Sequence, residues 1–268
     1  MDLSLKKFIP FWLAKKLKGF YQKGFAFVLS GDTYFCPFCE HSFRKFRPGG
    51  INLPVIYEKQ IVGAGYRLND VCPRCNSLDR DRLIYLFLEN KTNISTAPLS
   101  VFHVAPEGCI RAMLSELPNI TYEAGMKYHQ GFYYDRNTTV LDITRLDFEE
   151  NTFDVIICNH VLEHIPEDLK AIGELYRVLK PGGWAILQVP ISKTLEKTYE
   201  DPLIKTPEER EQVFGQFDHV RIYGQDYPSR LENRGFTVKR YNPYRDKWPV
   251  ELDKYAINPD EDLFIAYK

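Results

Sequence analysis

Short apolar runs alternate with amphipathic stretches along the second half of the chain. Apolar runs bounded by polar residues predict strands, whereas apolar residues spaced three or four apart predict helices. The predicted strands are 99–104, 119–124, 139–142, 153–158 and 184–189, and the predicted helices are 110–117 and 167–179. Strands that alternate with helices form parallel sheets with helices on both faces. We therefore expect a doubly wound α/β domain over residues 91–268, with ligands bound beyond the carboxyl ends of its strands.

The first 25 residues follow a different pattern, in which lysines alternate with large apolar side chains. Six lysines and one aspartate give this segment a net charge of +5, and the rest of the chain then carries −6, because the whole carries −1. Such a pattern predicts that residues 1–29 form a basic amphipathic segment, with a terminal helix that packs its aromatic face on the body of the protein. The alternative is docking to an anionic membrane surface or to an acidic partner.

Composition narrows the class of protein. The 268 residues are 44% hydrophobic and 26% charged, which is ordinary for a globular protein and excludes a disordered chain, a collagen and a multi-span membrane protein. With 35 basic and 36 acidic side chains, the near-zero charge argues against a protein that mainly coats nucleic acid, although a local basic patch is not excluded. The N-terminus lacks the features of a signal peptide, so a cytoplasmic location is expected.

Four of the six cysteines form two pairs with the same spacing. The pairs read C-P-F-C at Cys36 and Cys39 and C-P-R-C at Cys72 and Cys75. In a chain without an export signal, such pairs indicate metal binding, and four thiolates complete a tetrahedral structural Zn²⁺ site with no position left for a catalytic water. The alternatives are a redox pair and a site in which His41 replaces one cysteine. We expect a zinc module over residues 30–90.

A helix is expected to link the zinc module to the α/β domain. Ser77 is a plausible N-cap, and apolar residues recur at helical spacing as far as Leu88. The charged run at residues 79–82 is expected to form a solvated or salt-bridged face of this helix rather than a substrate site.

Two longer motifs follow one another in the α/β region. Residues 151–165 read N-T-F-D-V-I-I-C-N-H-V-L-E-H-I, and residues 174–183 read E-L-Y-R-V-L-K-P-G-G. This order resembles class I S-adenosylmethionine-dependent methyltransferases of the type 11 kind, in which F-D-V-V and V-L-E-H-V precede R-V-L-K-P-G-G. The G-F-T-V at 235–238 and the D-L-F-I-A-Y at 262–267 are similar to the end of that fold. The resemblance implies S-adenosylmethionine as cofactor and methyl transfer as the reaction, and it does not reach the cysteine pairs.

The resemblance also implies where the cofactor binds. The family's G-x-G-x-G loop corresponds to residues 105–109, where only Gly108 is a glycine, so we expect a stiffer loop. The family's ribose-binding acid corresponds to Met126, and Glu123 is the nearest acid. Asp142 and Ile143 match the segment beside the adenine. The implied cofactor-binding residues are His103, Ala105, Pro106, Glu107, Gly108, Glu123, Met126, Asp142, Ile143, Asn159 and His160.

The same resemblance places candidate catalytic groups after the fourth and fifth strands. His160 follows the fourth strand, should face the transferred methyl group and is the first candidate for a base, whereas His164 is expected to be structural. Residues 190–223 correspond to the segment that covers the substrate in the family. There His219, with its neighbour Asp218, is the second candidate, and Arg221 would bind an anion on a lid. The alternative is an ordinary surface loop. A further histidine, His129, would border the ribose.

Three functions remain open at this stage. The first is methyl transfer to an oxygen or nitrogen of a small-molecule or glycan-type acceptor. The second is RNA methylation with the zinc module gripping RNA, because basic and aromatic residues interleave at residues 43–47. The third is a non-catalytic, zinc-scaffolded interaction protein, suggested by the altered glycine loop. The sequence names neither the methyl acceptor nor the oligomeric state.

Overall fold

The structure is a computed structural model that describes residue 22 and residues 24–127 and 138–268. Nearly all of the predicted basic segment 1–29 lies outside these residues, as does His129, and residues 24–28 are helical. Over the part of the chain that is described, no helix combines the length and the apolar character needed to cross a membrane.

Fifteen strands and six longer helices are defined in the described residues. The strands are β1 (Ser30–Cys36), β2 (His41–Phe43), β3 (Arg47–Gly49), β4 (Ile61–Val62), β5 (Arg67–Val71), β6 (Leu99–Val104), β7 (Ile120–Met126), β8 (Thr139–Val140), β9 (Phe153–Asn159), β10 (Leu179–Gln188), β11 (Ile191–Ser192), β12 (Tyr199–Glu200), β13 (Arg221–Ile222), β14 (Thr237–Tyr241) and β15 (Leu263–Tyr267). The α-helices are Pro54–Glu58, Asp79–Lys91, Gly108–Glu116, Asp168–Val178, Pro207–Phe214 and Tyr227–Glu232, and 3₁₀ turns cover Leu162–His164 and Leu252–Tyr255.

Seven strands form the central sheet in the order β14-β15-β10-β9-β6-β7-β8. Strands β6 to β10 run parallel, whereas β15 is antiparallel to both of its neighbours. From β6 the chain adds strands towards one edge of the sheet, and from β9 it adds them towards the other edge. The two parallel strands at this switch point are paired, with Val104 opposite Cys158. Ligands bind at such a reversal point, outside the carboxyl ends of the strands. The predicted doubly wound α/β fold is confirmed.

The core lies on both faces of this sheet. Along β9, Val155 and Ile157 pack in one cluster while Ile156 and Cys158 pack in the other, and all four are fully buried. Side chains of a strand point alternately to its two faces. A strand covered on both faces therefore has a continuous apolar sequence, as β9 does.

The helix that links the cysteine pairs to the sheet differs from expectation. It begins at Asp79 rather than at Ser77, with Leu78 as N-cap, and the Leu78 amide donates to Asp81 Oδ2 at 2.8 Å. The predicted solvated face is wrong, because Asp79, Asp81 and Arg82 are at most 3% exposed. The salt bridge is present, since Arg67 Nε lies 2.6 Å from Asp79 Oδ2. These charges are buried because the helix is enclosed between the cysteine region and the sheet.

The chain between the two cysteine pairs reaches the sheet domain. Strand β4 pairs with β11, so that Val62 lies opposite Ile191, just after the carboxyl end of β10. Ile56 packs with Phe214 and Ile222 in a separate apolar cluster. This insert therefore covers the edge of the sheet at which ligands bind, a placement that the spacing of the cysteines does not indicate.

Candidate active site

Two neighbouring strands of the sheet end in residues with unusual backbone angles. Ala105, directly after β6, has φ +48°, and His160, directly after β9, has φ +54°. Side chains other than glycine rarely adopt this left-handed region, which costs about 1–2 kcal/mol per residue. Such residues concentrate at functional sites. In the family's loop motif, Ala105 matches a glycine, and its backbone has the conformation that a glycine adopts easily.

Three of the predicted cofactor residues meet at this edge. His103 Nε2 lies 2.9 Å from Glu107 Oε2, and Asn159 Nδ2 donates to Glu107 Oε1 at 2.8 Å. His103 Nδ1 lies 2.9 Å from the hydroxyl of Tyr122. Burial raises the pKa of Glu107, but the hydrogen bond with His103 and the charge of His103 outweigh it and hold this pKa below its usual range. An ionised carboxylate thus occupies the loop after β6.

The other predicted cofactor residues lie along the same edge. Glu123 accepts a hydrogen bond from Thr139 Oγ1 at 2.7 Å, and Met126 ends β7. The exposed Asp142 accepts hydrogen bonds at Oδ1 from the amide and the hydroxyl of Thr144, which lower its pKa. Ile143 is 4% exposed and packs in the core. Pro106 precedes the loop carboxylate, and Gly108 begins the next helix.

A cavity of about 220 Å³ opens beside the end of β9. Its lining includes Gly63 and Arg67 from the insert between the cysteine pairs and Arg80 from the helix that begins at Asp79. It also includes His160 and His219, the two predicted catalytic residues, together with Glu163 and His164. The structure therefore brings both predicted catalytic histidines to one cavity.

Glu163 and three histidines form a cluster in this cavity. Glu163 Oε1 lies 3.4 Å from His160 Nδ1 and 4.0 Å from His164 Nε2, and the rings of His164 and His219 are 4.7 Å apart. Burial raises the pKa of Glu163 to about 8. Burial lowers the pKa of His160 well below its usual value and that of His219 to about 4, so both imidazoles are neutral near pH 7. Nothing in the local pattern marks Glu163 as functional, because V-L-E-H also fits an ordinary helix start.

Arg221 is not available to bind an anion on a lid. Its guanidinium donates to the carbonyl oxygens of Leu162, Ile165 and Pro166 at 2.5–2.9 Å, and it is 2% exposed. The neighbouring Tyr223 is fully buried, with its hydroxyl donating to Asp168 Oδ2 at 2.8 Å. Arg221 therefore fixes the turn that carries Glu163 and His164.

The four paired cysteines converge as predicted. Cys36 Sγ lies 3.4 Å from Cys75 Sγ, Cys39 Sγ lies 3.7 Å from Cys72 Sγ, and all four sulfur atoms lie within 4.8 Å of one another. These distances are too long for disulfide bonds. A tetrahedral zinc with Zn–S bonds of about 2.3 Å separates its sulfur ligands by about 3.8 Å, so the residues fit this ion.

Two neighbouring side chains complete this picture. Ser77 Oγ lies 3.3 Å from the Sγ atoms of both Cys36 and Cys75, so the residue expected to cap the helix contacts the sulfur cluster instead. His41 is exposed, and its Nδ1 lies 2.6 Å from the carbonyl oxygen of Cys39. Because that ring nitrogen contacts the backbone, the geometry favours four thiolates over a set that includes His41.

Comparison with known proteins identifies part of the sheet domain. Residues 118–187 match a family described as methyltransferase domain. The ubiquinone/menaquinone biosynthesis C-methyltransferase UbiE of Idiomarina loihiensis is 39% identical over 62 residues, which are 22% of this chain and 25% of that protein. An uncharacterised protein of Methanocaldococcus jannaschii is 38% identical over 76 residues, 28% of each chain. The match confirms the resemblance seen in residues 151–183.

These similarities are partial. The chain spans about a quarter of the length of the curated relatives that it matches. Among solved structures, a putative methyltransferase of Bacillus halodurans aligns with a TM-score of 0.41 and 18% identity, over 69% of this chain and 95% of the other.

Proposed function

We propose that this protein transfers a methyl group from S-adenosylmethionine to a small polar acceptor, because residues 118–187 match a methyltransferase domain. The acceptor atom is an oxygen or a nitrogen of a small-molecule or glycan-type compound. The observation that carries the proposal is the position of the cavity: His160 and His164 in its lining follow β9, a strand of the matched segment, at the edge where the order of the strands reverses.

The cofactor would lie across the carboxyl ends of β6, β7 and β8. It supplies an electrophilic methyl group on a sulfonium, so the main task of the protein is to position two reactants. Glu107 offers a negative charge to the ammonium and sulfonium groups, and the Glu107 contacts with His103 and Asn159 hold it in place. Glu123, Met126, Asp142 and Ile143 would border the ribose and adenine, farther along the same edge.

The cavity beside β9 suits a small acceptor. Its volume of about 220 Å³ admits a compact polar group and lies below the usual size of a drug-like pocket. His160 Nε2 is buried and has no hydrogen-bond partner among the described residues, so it is placed to accept a proton from the acceptor. His219 borders the same cavity. Arg80 in the lining favours an acceptor that carries a negative group, whereas the charge of Arg67 is paired with Asp79.

We also propose that Cys36, Cys39, Cys72 and Cys75 hold a structural zinc ion. Its role would be to fix the insert that covers the cavity, since that insert joins the two cysteine pairs. The ion would be saturated by four thiolates and would take no part in the transfer.

Two measurements on the full chain test the proposed activity. Calorimetry with S-adenosylhomocysteine should show one site, and labelled S-adenosylmethionine should transfer its methyl group to a member of a panel of hydroxylated and phosphorylated small molecules. His160→Gln should lower turnover with little effect on cofactor affinity, whereas His41→Gln, an exposed histidine, serves as the control. Absence of cofactor binding would favour the interaction-protein alternative, and transfer to an RNA pool alone would favour the RNA alternative.

A further inference from the structure

The carboxylate of Glu163 is buried beside a group of histidines. Glu163 is 1% exposed in the turn that follows β9. Neither of its oxygens accepts a hydrogen bond from another described residue. Burying an ionised carboxylate costs much free energy unless hydrogen bonds or an opposite charge replace its contacts with water. The side chain therefore needs a positively charged ligand or a proton.

Besides His160, both His164 and His219 lie near this carboxylate without forming a hydrogen bond to it. Glu163, His164 and His219 each offer one ligand atom, and these three atoms lie within 4.8 Å of one another. The distance between Glu163 Oε1 and His164 Nε2 is 4.0 Å. Ligands on a common metal ion with bonds of about 2.1 Å are separated by about 3.0–3.4 Å. Small side-chain rotations would bring these three atoms onto one ion.

Neighbouring groups hold the side chain of His164 and the backbone of Glu163 in place. His164 Nδ1 lies 3.2 Å from Asp218 Oδ2, which turns the opposite ring nitrogen towards Glu163. A carboxylate behind a histidine is the common second layer of a metal site, where it fixes the orientation of the ring. The backbone is also fixed, because the Val220 amide donates to the carbonyl oxygen of Glu163 at 3.0 Å.

We propose that Glu163, His164 and His219 bind a divalent transition-metal ion such as Mn²⁺, Fe²⁺ or Zn²⁺. Two imidazoles and one carboxylate are a donor set for these ions, and three protein ligands leave positions open for an acceptor. The open side faces the cavity, which the same three residues line. This site is separate from the cysteine cluster, and His219 serves in it as a ligand rather than as a base.

The proposed ion also predicts which chemical group accepts the methyl group. This prediction rests on the proposed function. An acceptor hydroxyl bound to the ion would have a lowered pKa and would give its proton to Nε2 of His160. Its oxygen would form a bond to the methyl carbon while the carbon–sulfur bond breaks, with the electron pair of that bond remaining on sulfur. The acceptor is thus an alcohol or phenol, and the transfer is to oxygen.

The site is tested by titrating the full chain with Mn²⁺ while zinc stays bound at the cysteines. Electron paramagnetic resonance measures how much Mn²⁺ is bound. The wild type should bind one Mn²⁺. Glu163→Gln and His219→Asn should bind it at least about 100-fold more weakly, and Asp218→Asn, at a half-exposed position, about 10-fold more weakly. Glu261→Gln, a buried carboxylate outside the cluster, should bind it like the wild type. Thermal unfolding of each variant shows whether it is folded.

The outcomes separate the metal site from the proposed function. The metal site would be overturned if the wild type bound no Mn²⁺ at millimolar concentration. It would also be overturned if the folded Asp218→Asn and Glu163→Gln variants bound Mn²⁺ with the same affinity. Calorimetry with S-adenosylhomocysteine on the same samples reports the cofactor site independently. Cofactor binding without Mn²⁺ binding would leave the methyltransferase proposal standing alone, whereas Mn²⁺ binding without cofactor binding would leave the metal site without its catalytic role.

Discussion

His164 Nδ1 and Asp218 Oδ2 lie 3.2 Å apart, although 54 residues separate them in the chain. The contact joins the turn after β9 to the segment that follows β10. Arg221 reinforces the same junction through the backbone carbonyls of residues 162–166. The wall of the cavity is therefore assembled from two segments that must dock correctly before its histidines and Glu163 meet.

Loss of one thiolate should remove the zinc and also disturb the cavity. Cys72→Ser should reduce the zinc content from about one ion per chain to near zero, because three remaining thiolates hold the ion poorly. The insert between the cysteine pairs should then loosen, since the metal no longer joins its ends, and affinity for the acceptor should fall. Elemental analysis measures the zinc, with Cys109→Ser, outside the sulfur cluster, as control. Full zinc content in Cys72→Ser would contradict the assignment.

The backbone of Ala105 predicts an asymmetric response to substitution. Its φ of +48° suits glycine and disfavours a β-branched side chain. Ala105→Gly should remain within about 1 kcal/mol of the wild type in free energy of unfolding, whereas Ala105→Val should lose about 2 kcal/mol. The Val variant should also bind S-adenosylhomocysteine more weakly, because its loop is forced to move. Urea unfolding and calorimetry check both, and equal stability of the two variants would be evidence against strain at this position.

A pair of variants separates the turn-shaping role of Asp142 from its proposed role in binding the cofactor. Its Oδ1 accepts hydrogen bonds from the amide and the hydroxyl of Thr144, an arrangement that asparagine can keep and alanine cannot. If Asp142 only shapes the turn, Asp142→Asn retains affinity for S-adenosylhomocysteine. We expect instead that both variants weaken binding, about tenfold for Asn and more for Ala, since a charged acceptor contributes about 1.5–3 kcal/mol. Calorimetry on both variants decides between the two roles.

Glu261 should make stability decrease as the pH rises from 4.5 to about 7. Burial, followed by the charge of Asp79, raises the pKa of Glu261 to about 7 from an ordinary value of 4.5. A raised carboxyl pKa means that folding favours the protonated form, so the group stabilises the fold below pH 4.5 and this contribution is lost between pH 4.5 and 7. Glu261→Gln should therefore gain stability relative to the wild type as the pH rises, by up to about 3 kcal/mol above pH 7.

Urea unfolding of both proteins at a series of pH values measures this difference. Gln188 Nε2 donates to Glu261 Oε1 at 3.2 Å, and a glutamine oxygen can accept the same bond, so the variant preserves the contact. A stability difference that does not change between pH 4.5 and 8 would show that Glu261 titrates normally.

Local patterns were sufficient for much of the sheet domain. The continuous apolar run at β9 and the amphipathic helix before Gly182 and Gly183 were each predicted within a few residues of their observed bounds, whereas the final strand was implied by the family resemblance at residues 262–267. The burial of these elements follows from the spacing of apolar residues within each segment, which the sequence shows directly. The meeting of the two cysteine pairs was predicted for a different reason, because four thiolates are needed to complete one zinc site.

Long-range packing decided the rest. The charges of Asp79, Asp81 and Arg82 look solvated in the sequence, but they are buried because the helix lies between two parts of the chain. Ser77 has the pattern of a cap, yet it contacts the sulfur cluster instead. Such outcomes depend on partners distant in sequence, which a local pattern does not contain.

The sequence by itself determined the doubly wound sheet, the convergence of the four cysteines and the strand ends at which a cofactor would bind. Only the tertiary structure decided that the insert between the cysteines covers those strand ends, and that Glu163 and His164 meet His219. Periodicity specifies which face of an element is buried, whereas this cavity depends on which segments dock on one another. For that reason the cluster of Glu163, His164 and His219 is a property of the folded chain rather than of any motif in it.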